Sequence, residues 1–207
     1  MPEAADQPPT ARSGRSLAGF YLAVGVAAAL LGLGAWLYRP MRLLYAIHRI
    51  ESGALADRRR HSDETCLAWT EECCRAAQRG HPRALRALET ALLQEGPAWQ
   101  VKRKVLAVLT PEEMLRQVLG SGQPYLLATG SYSVYCAGLT EADWALRDRL
   151  DIDQKVVTPV GCVMDSDEEA RFRGALSLWT ARYNRLVMNH CAAEQARKRI
   201  RELQAPK

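Results

Sequence analysis

The chain has 207 residues, a formal net charge of +5 and six cysteines. Its basic residues do not alternate with aromatic ones in any recognisable nucleic-acid-binding module, which argues against a nucleic-acid partner. Beyond an apolar N-terminal stretch, roughly 165 residues remain, which is enough for one domain with its own hydrophobic core.

Residues 1–15 form a polar tail that is rich in proline, alanine and charge. Such a composition buries too little apolar surface to offset the entropy lost on ordering, so we predict a disordered tail. The next stretch is of the opposite kind, because residues 17–38 carry no charge and are flanked by Arg15 and Arg39. At about 1.5 Å per residue, a helix of this length covers the roughly 30 Å hydrocarbon core of a bilayer.

Aromatic rings mark both ends of this apolar stretch, with Phe20 and Tyr21 at one end and Trp36 and Tyr38 at the other. Such rings are enriched at the level of lipid headgroups, which favours a membrane span over a buried helix. A cleaved signal peptide has a shorter apolar core of about 7–15 residues and a small-residue cleavage site, and this sequence shows neither. We therefore predict one transmembrane helix over residues 16–38, with the lipid bilayer of a plasma or inner membrane as its partner.

Small side chains recur along the predicted span at spacings of three and four residues. They are Gly25, Ala28, Ala29, Gly32 and Ala35. A nearly bare helix face lets a second helix approach closely in lipid, where packing drives association. This packing face predicts either a homodimer or contact with the helix of a membrane or membrane-proximal protein partner, although the sequence lacks a strict Gly-x-x-x-Gly motif.

We predict that residues 39–62 form an amphipathic juxtamembrane helix followed by a loop. The apolar positions of this segment recur at helical spacing: Leu43, Leu44, Ile47 and Ile50. Three arginines follow the span and are the predicted contacts to anionic headgroups: Arg39, Arg42 and Arg49.

The charges leave the orientation of the span open. Arg12 and Arg15 with the terminal amine nearly balance the arginines on the other side, whereas adding residues 58–60 would favour a cytoplasmic domain. Six cysteines allow disulfides in an oxidising compartment. We favour the non-cytoplasmic side, with Cys136 and Cys162 as the predicted disulfide.

The apolar pattern is helical from residue 63 to residue 109, in three stripes separated by Gly80-His81-Pro82 and by Gly96-Pro97. Three short helices joined by tight turns cover one another's apolar faces. We therefore predict that residues 63–204 form a mostly helical soluble domain and that these helices open it.

One part of this stretch, residues 80–109 (GHPRALRALETALLQEGPAWQVKRKVLAVL), resembles a single HEAT-type repeat. The matching features are a helix with Ala84, Leu88 and Leu92, a turn with Pro97, and a helix opening on Val101-Lys102 and ending on Val108-Leu109. The resemblance implies a packed helix pair and a protein-binding surface. It does not imply an extended array, because position 102 is Lys where the family usually shows Arg and no second copy follows at the same period.

Shorter elements follow the three helices. Thr110-Pro111 and Thr140 are typical helix starts. Between these two helices, residues 123–137 are predicted to form a small β-hairpin or an irregular insert. Residues 155–164 (KVVTPVGCVM) are the best further strand candidate, and Pro159 confines that strand to an edge or splits it.

The last element is predicted to be a long helix with acidic residues at its start and basic residues at its end. Apolar positions recur along it every seven residues: Phe172, Trp179, Leu186, Ala193 and Ile200. This stripe predicts contact with the domain's own core, and the alternative that it forms a coiled coil remains open. The predicted fold class is therefore mainly α.

Residues with metal-ligand atoms lie close together in the sequence: His61, Cys66, Cys73, Cys74 and His81. Their spacing matches no established zinc site, and Cys66 and Cys73 fit the buried stripe of a helix, so we predict neither a metal nor a cofactor. There is no phosphate-binding glycine loop and no nucleophile elbow.

Two classes of function follow from these sequence features. The favoured one is a single-pass membrane protein that presents a helical interaction or scaffold domain to a partner. The alternative is a membrane-tethered enzyme that uses Cys136, Cys162 or His190. A polar pocket around these residues would favour the enzyme, and an apolar groove between helices would favour the interaction domain.

Overall fold

The computed structural model describes residues 15–57, 60–129, 138–158 and 166–204. Residues 1–14 of the predicted tail, the predicted disulfide partners Cys136 and Cys162, and Pro159 lie outside these ranges. By its internal contacts the chain separates into two compact units, Met1–Arg42 and Leu43–Lys207.

The described residues form helices and two short strands. In chain order they are α1 (Arg15–Glu51), α2 (Asp63–Gln78), α3 (Pro82–Leu93), α4 (Trp99–Leu106), α5 (Pro111–Ser121), β1 (Leu126–Thr129), α6 (Glu141–Leu150), β2 (Gln154–Thr158) and α7 (Asp167–Gln204). The mainly helical class, the long apolar helix near the N-terminus and the long C-terminal helix are confirmed.

The first unit contains the apolar part of α1. Every described side chain from Gly19 to Arg42 is exposed. An interior proline usually removes one helical hydrogen bond and kinks or ends a helix, yet α1 continues through Pro40 to Glu51.

In the second unit, side-chain caps set where several helices begin. Ser62 accepts a hydrogen bond from the backbone N–H of Thr65 at 3.3 Å and caps α2. Thr110 caps α5 in the same way, and Pro111 occupies the first turn, where no N–H is needed. Thr140 and Asp143 form a reciprocal capping box at the start of α6. Both predicted starts, at Thr110 and Thr140, are confirmed.

The core of the second unit begins with the packing of α2, α3 and α4 against one another. The apolar positions of the HEAT-like segment are among the buried residues: Ala84, Leu88, Leu92, Val101 and Val105. A helix pair is therefore present, and the resemblance of residues 80–109 to a single HEAT-type repeat stays a prediction. Ala46, Ile47 and Ile50 of α1 are buried in the same core, so this segment turns its apolar face to protein.

The two strands form a parallel pair, with Leu127 opposite Lys155 and Ala128 opposite Val156. The sequence predicts a small β-hairpin or an irregular insert at residues 123–137, of which the structure describes residues 123–129. Within these residues β1 pairs with β2, which follows only after α6. Parallel strands need such a crossover connection, which is why no local turn signal could reveal the pairing. The second strand lies within the segment predicted for it, apart from its first residue, Gln154.

The first two thirds of α7 cover the sheet and α5. The buried residues of α7 are Phe172, Leu176, Thr180, Tyr183, Asn184, Val187, Met188 and Cys191. Of the predicted stripe, Phe172 is buried and Trp179 is partly buried against the core, whereas Ala193 and Ile200 are exposed. The predicted core contact is therefore found only in the first part of this helix. After Cys191 the helix continues to Gln204 with no buried residue among those described.

Candidate functional site

The exposed apolar surface of α1 is the most unusual feature of the described chain. Between Gly19 and Glu51 the helix contains an 18-residue stretch with a mean hydropathy of 2.0, none of which is buried. Large apolar side chains such as Leu31 and Trp36 are exposed over most of their surface. Soluble proteins rarely expose continuous apolar surface of this extent. By length and composition this helix is able to cross a membrane, a property that spans and signal sequences share.

The predicted packing face of α1 is uncovered. Gly25 and Gly32 have no atom within 4 Å of the position that a Cβ would occupy, apart from the helix's own backbone and neighbours. Ala28, Ala29 and Ala35 are exposed as well. A larger residue at either glycine therefore meets no other described part of this chain, which makes these positions clean probes of contacts with a second helix.

The three predicted headgroup contacts differ in their surroundings. Arg39 is exposed, and the guanidinium of Arg42 lies 5.5 Å from the centroid of the Tyr38 ring. A cation over an aromatic ring at this distance is attracted by the ring's quadrupole. Both arginines follow the apolar stretch directly.

Arg49 is held within the helical unit. Its guanidinium lies 5.1 Å from the centroid of the Trp69 ring and 6.0 Å from that of Tyr45. Its Nη2 also donates to Nε2 of His61. The ring of His61 packs on that of Trp69, with 5.1 Å between the ring centroids. These contacts join the end of α1 to the start of α2.

An open groove of about 940 Å³ lies beside the last part of α7. His190 and Cys191 line it together with Pro124 and Leu150. Of the three residues named for an enzyme, the described structure places only His190 in this groove, because Cys136 and Cys162 lie outside the described ranges. Burial raises the pKa of the Cys191 thiol, which opposes formation of the nucleophilic thiolate.

The cysteines of α2 are buried thiols. Desolvation raises the pKa of Cys73 to about 12 and that of Cys74 to about 11. Cys66 is also buried. A group of three histidine, cysteine, aspartate or glutamate side chains able to hold a metal ion is not found among the described residues.

Two buried polar residues are not predicted from the sequence. Lys102 is 2% exposed, and its Nζ donates to the carbonyl oxygen of Val157 in β2. Asn184 is fully buried; its Nδ2 donates to the carbonyl of Leu127 at 2.9 Å, and its Oδ1 accepts from the N–H of Leu127 at 2.8 Å. A sequence signal exists for both, since each lies at helical spacing from apolar residues on the buried face of its helix.

Comparison with protein-family models, with curated proteins and with solved structures finds no match to this chain.

Proposed function

We propose that this protein is a single-pass membrane protein whose helical unit serves as an interaction or scaffold domain. The observation that carries the proposal is the contrast within α1. Its apolar stretch has no cover from the described chain, whereas the residues that follow Leu43 bury their apolar face in a core. A helix that needs an apolar environment and finds none in the described part of its chain is suited to a bilayer.

The residues at the end of the apolar stretch support an interfacial position. Tyr38 and Trp36 supply rings of the kind enriched at headgroups, and Arg39 and Arg42 supply positive charge beside them. Anionic lipids attract such charges by about 1 kcal/mol for each arginine or lysine near the surface. Arg49, the third predicted headgroup contact, also contributes to the helical unit through Trp69 and His61.

An interaction role is supported by the surfaces that remain uncovered. The packing face of α1 offers a close approach to a second helix. The groove beside α7 has apolar and charged walls, with Leu150 and Cys191 near Lys198 and Glu202. An open groove with walls of this kind is more typical of a binding surface than of an enclosed catalytic pocket.

The anchor is tested by extraction of membranes that contain the intact protein. We expect the chain to stay in the membrane pellet through high-salt and alkaline carbonate washes, and to be released by detergent. A variant with Leu30, Leu31 and Leu33 changed to serine provides the control, because it lowers the hydropathy of the stretch and leaves the flanking arginines intact. Release of the unaltered protein by salt alone would contradict the proposal.

The interaction role is tested by crosslinking in the native membrane followed by mild detergent extraction and mass spectrometry. We expect a stoichiometric partner, either a second copy or another membrane or membrane-proximal protein. A chain that remains uncrosslinked and monomeric in membranes and in detergent would contradict a scaffold function without affecting the anchor.

A further inference from the structure

The distal end of α7, residues 192–204, contains no buried residue. The buried face of α7 ends at Cys191, and the side of the distal end that continues this face is polar. The distal residues along the groove are Glu194, Gln195, Lys198, Arg199, Arg201 and Glu202, and of these Arg199 lies at the edge nearest Leu203. This polarity explains why the helix leaves the core at this point.

An apolar stripe lies on a different side of the distal end. Ala193, Ala196, Ile200 and Leu203 recur at spacings of three and four residues, which places them on one face of a helix. Ile200 is 53% exposed and Leu203 is 86% exposed. Two large apolar side chains are thus presented to the surroundings on the face turned away from the groove.

Positive charges flank this stripe. Arg197, Lys198, Arg199 and Arg201 are all exposed, against two carboxylates, Glu194 and Glu202. Glu194 is paired with Arg197 at 2.7 Å. At about 100° per residue, Arg197 and Arg199 lie on either side of Ile200 and Leu203. An apolar face bordered by arginines is the pattern of helices that lie in the headgroup region of anionic membranes.

We propose that the distal end of α7 is a second membrane contact, which lies on an anionic bilayer surface with Ile200 and Leu203 inserted and Arg197 and Arg199 against lipid phosphates. This proposal rests on the membrane anchor proposed above. The anchor matters because only a few residues separate Tyr38, at the end of the apolar stretch, from the buried Ala46. A chain segment of that length spans at most about 3.6 Å per residue, so the second unit stays close to the bilayer surface.

A second copy of the chain fits the same surface less well. The exposed stripe provides two large apolar residues and two alanines, whereas a coiled coil needs apolar positions sustained over at least three or four heptads. Charge complementarity also favours lipid. In an antiparallel pair of identical helices, the arginines beside the stripe would lie opposite the same arginines of the second helix and would repel them. In a parallel pair they would lie opposite no carboxylate.

The test uses the full chain in lipid nanodiscs, one set made from phosphatidylcholine and one that also contains phosphatidylglycerol. Hydrogen–deuterium exchange followed by mass spectrometry reports on peptides that cover residues 192–204. We expect slower exchange of the distal end in the anionic discs and loss of that protection at high salt. Exchange of the buried part of α7, residues 172–191, should be the same in both discs.

Two variants of equal charge separate lipid contact from a general charge effect. Arg197→Gln with Arg199→Gln should remove most of the protection, since each cation near an anionic surface contributes roughly a fivefold preference. Arg171→Gln with Arg185→Gln removes the same charge from exposed positions of the same helix and should leave the protection unchanged.

Equal exchange in neutral and anionic discs would overturn the proposal. Protection that is independent of lipid charge and rises with the number of chains per disc would overturn it in favour of a second copy. Loss of the chain from the discs would remove the anchor and this contact together. An anchored chain with an unprotected distal end would remove this contact alone.

Discussion

The amine of Lys102 is buried where α4 meets the second strand. Its Nζ donates to the carbonyl of Val157, and desolvation lowers the pKa of Lys102 to about 8, with a smaller opposing effect from Glu95. Below pH 8 the folded and unfolded chains both carry this proton. Above pH 8 the folded chain releases it while the unfolded chain keeps it up to about pH 10.5.

Lys102 alone therefore contributes a rise in stability between about pH 8 and 9.5, of roughly 1.4 kcal/mol per pH unit at most. The buried thiols of Cys73 and Cys74 contribute a fall over part of the same range, because they ionise first in the unfolded chain. Denaturant unfolding of the detergent-solubilised chain, followed by tryptophan fluorescence, measures this slope. The contribution of Lys102 is read as a difference between variants: the slope of stability against pH should be lower in Lys102→Met than in the unaltered chain by up to that amount, and should be unchanged in Lys198→Met, at an exposed position. Measurements stop near pH 9.5 because burial raises the pKa of Tyr125 and of Tyr183, and ionisation of these tyrosines in the unfolded chain lowers stability at higher pH.

Asn184 satisfies the backbone hydrogen bonding of Leu127 in the first strand. One edge of β1 pairs with β2, and on its other side the Asn184 amide contacts both the N–H and the carbonyl of Leu127. The side chain thus takes the place that a third strand would have. A buried backbone group left without a partner costs about 1–3 kcal/mol.

Asn184→Leu removes both of these hydrogen bonds and should lower the free energy of unfolding by about 2–5 kcal/mol. Asn189→Leu is the matched control, since Asn189 is exposed on the same helix, and it should change stability by less than about 0.5 kcal/mol. Equal midpoints of denaturant unfolding for the Asn184→Leu variant and the unaltered protein would show that the amide contributes nothing.

At the level of elements, the packing face of α1 makes a prediction about association. Gly25→Leu with Gly32→Leu keeps the helix apolar and meets no other described part of the chain. A close helix–helix contact in lipid cannot accommodate two leucines on its smooth face, so crosslinked dimers or heterodimers in the membrane should disappear. Gly19→Leu with Gly34→Leu is the control for added bulk outside that face. An unchanged crosslinking pattern in the first variant would show that the packing face mediates no association.

The last turns of α1 belong to the core of the second unit. Ala46, Ile47 and Ile50 are buried there, and Nε2 of Gln94 donates to the carbonyl of Ile50 at 2.5 Å. A chain that starts at Leu43 should therefore fold and remain soluble without the apolar stretch. A chain that starts at Ser52 loses two buried isoleucines, each worth about 1.5–3 kcal/mol. Its thermal unfolding should begin at a clearly lower temperature than that of the chain starting at Leu43. Equal unfolding temperatures of the two chains would contradict this role of α1.

The elements show which parts of this fold can be predicted from sequence. The helix starts at Thr110 and Thr140 depend on side chains within three residues, so their signals are local. The pairing of β1 with β2 and the contact of Asn184 with Leu127, which are 57 residues apart, depend on how distant segments meet. The contacts of Arg49 cannot be predicted from the sequence either, because its helical spacing and its charge fit a lipid surface as well as they fit contact with Trp69 and His61.

At the scale of the whole molecule, the cysteines connect the fold to the compartment. The four described cysteines, Cys66, Cys73, Cys74 and Cys191, are buried thiols outside any disulfide. The other two cysteines of the sequence are Cys136, which comes after β1, and Cys162, which comes after β2. The last residues of these two strands, Thr129 and Thr158, are register partners. Neighbouring strands lie about 4.8 Å apart, so Thr129 and Thr158 are close in space.

If the helical unit lies on the non-cytoplasmic side, Cys136 and Cys162 should form a disulfide. Titration of the denatured protein without reductant should then find four thiols, and reductant should raise the number to the six of the sequence. Cys136→Ser gives the sharper result: it should increase the unreduced count by one if the disulfide exists, because it releases Cys162, and should decrease it by one if all cysteines are thiols. Cys66→Ser lowers the count by one in either case and serves as the control. A full set of thiols in the unreduced protein, with a decrease for Cys136→Ser, would contradict the disulfide and favour a cytoplasmic domain.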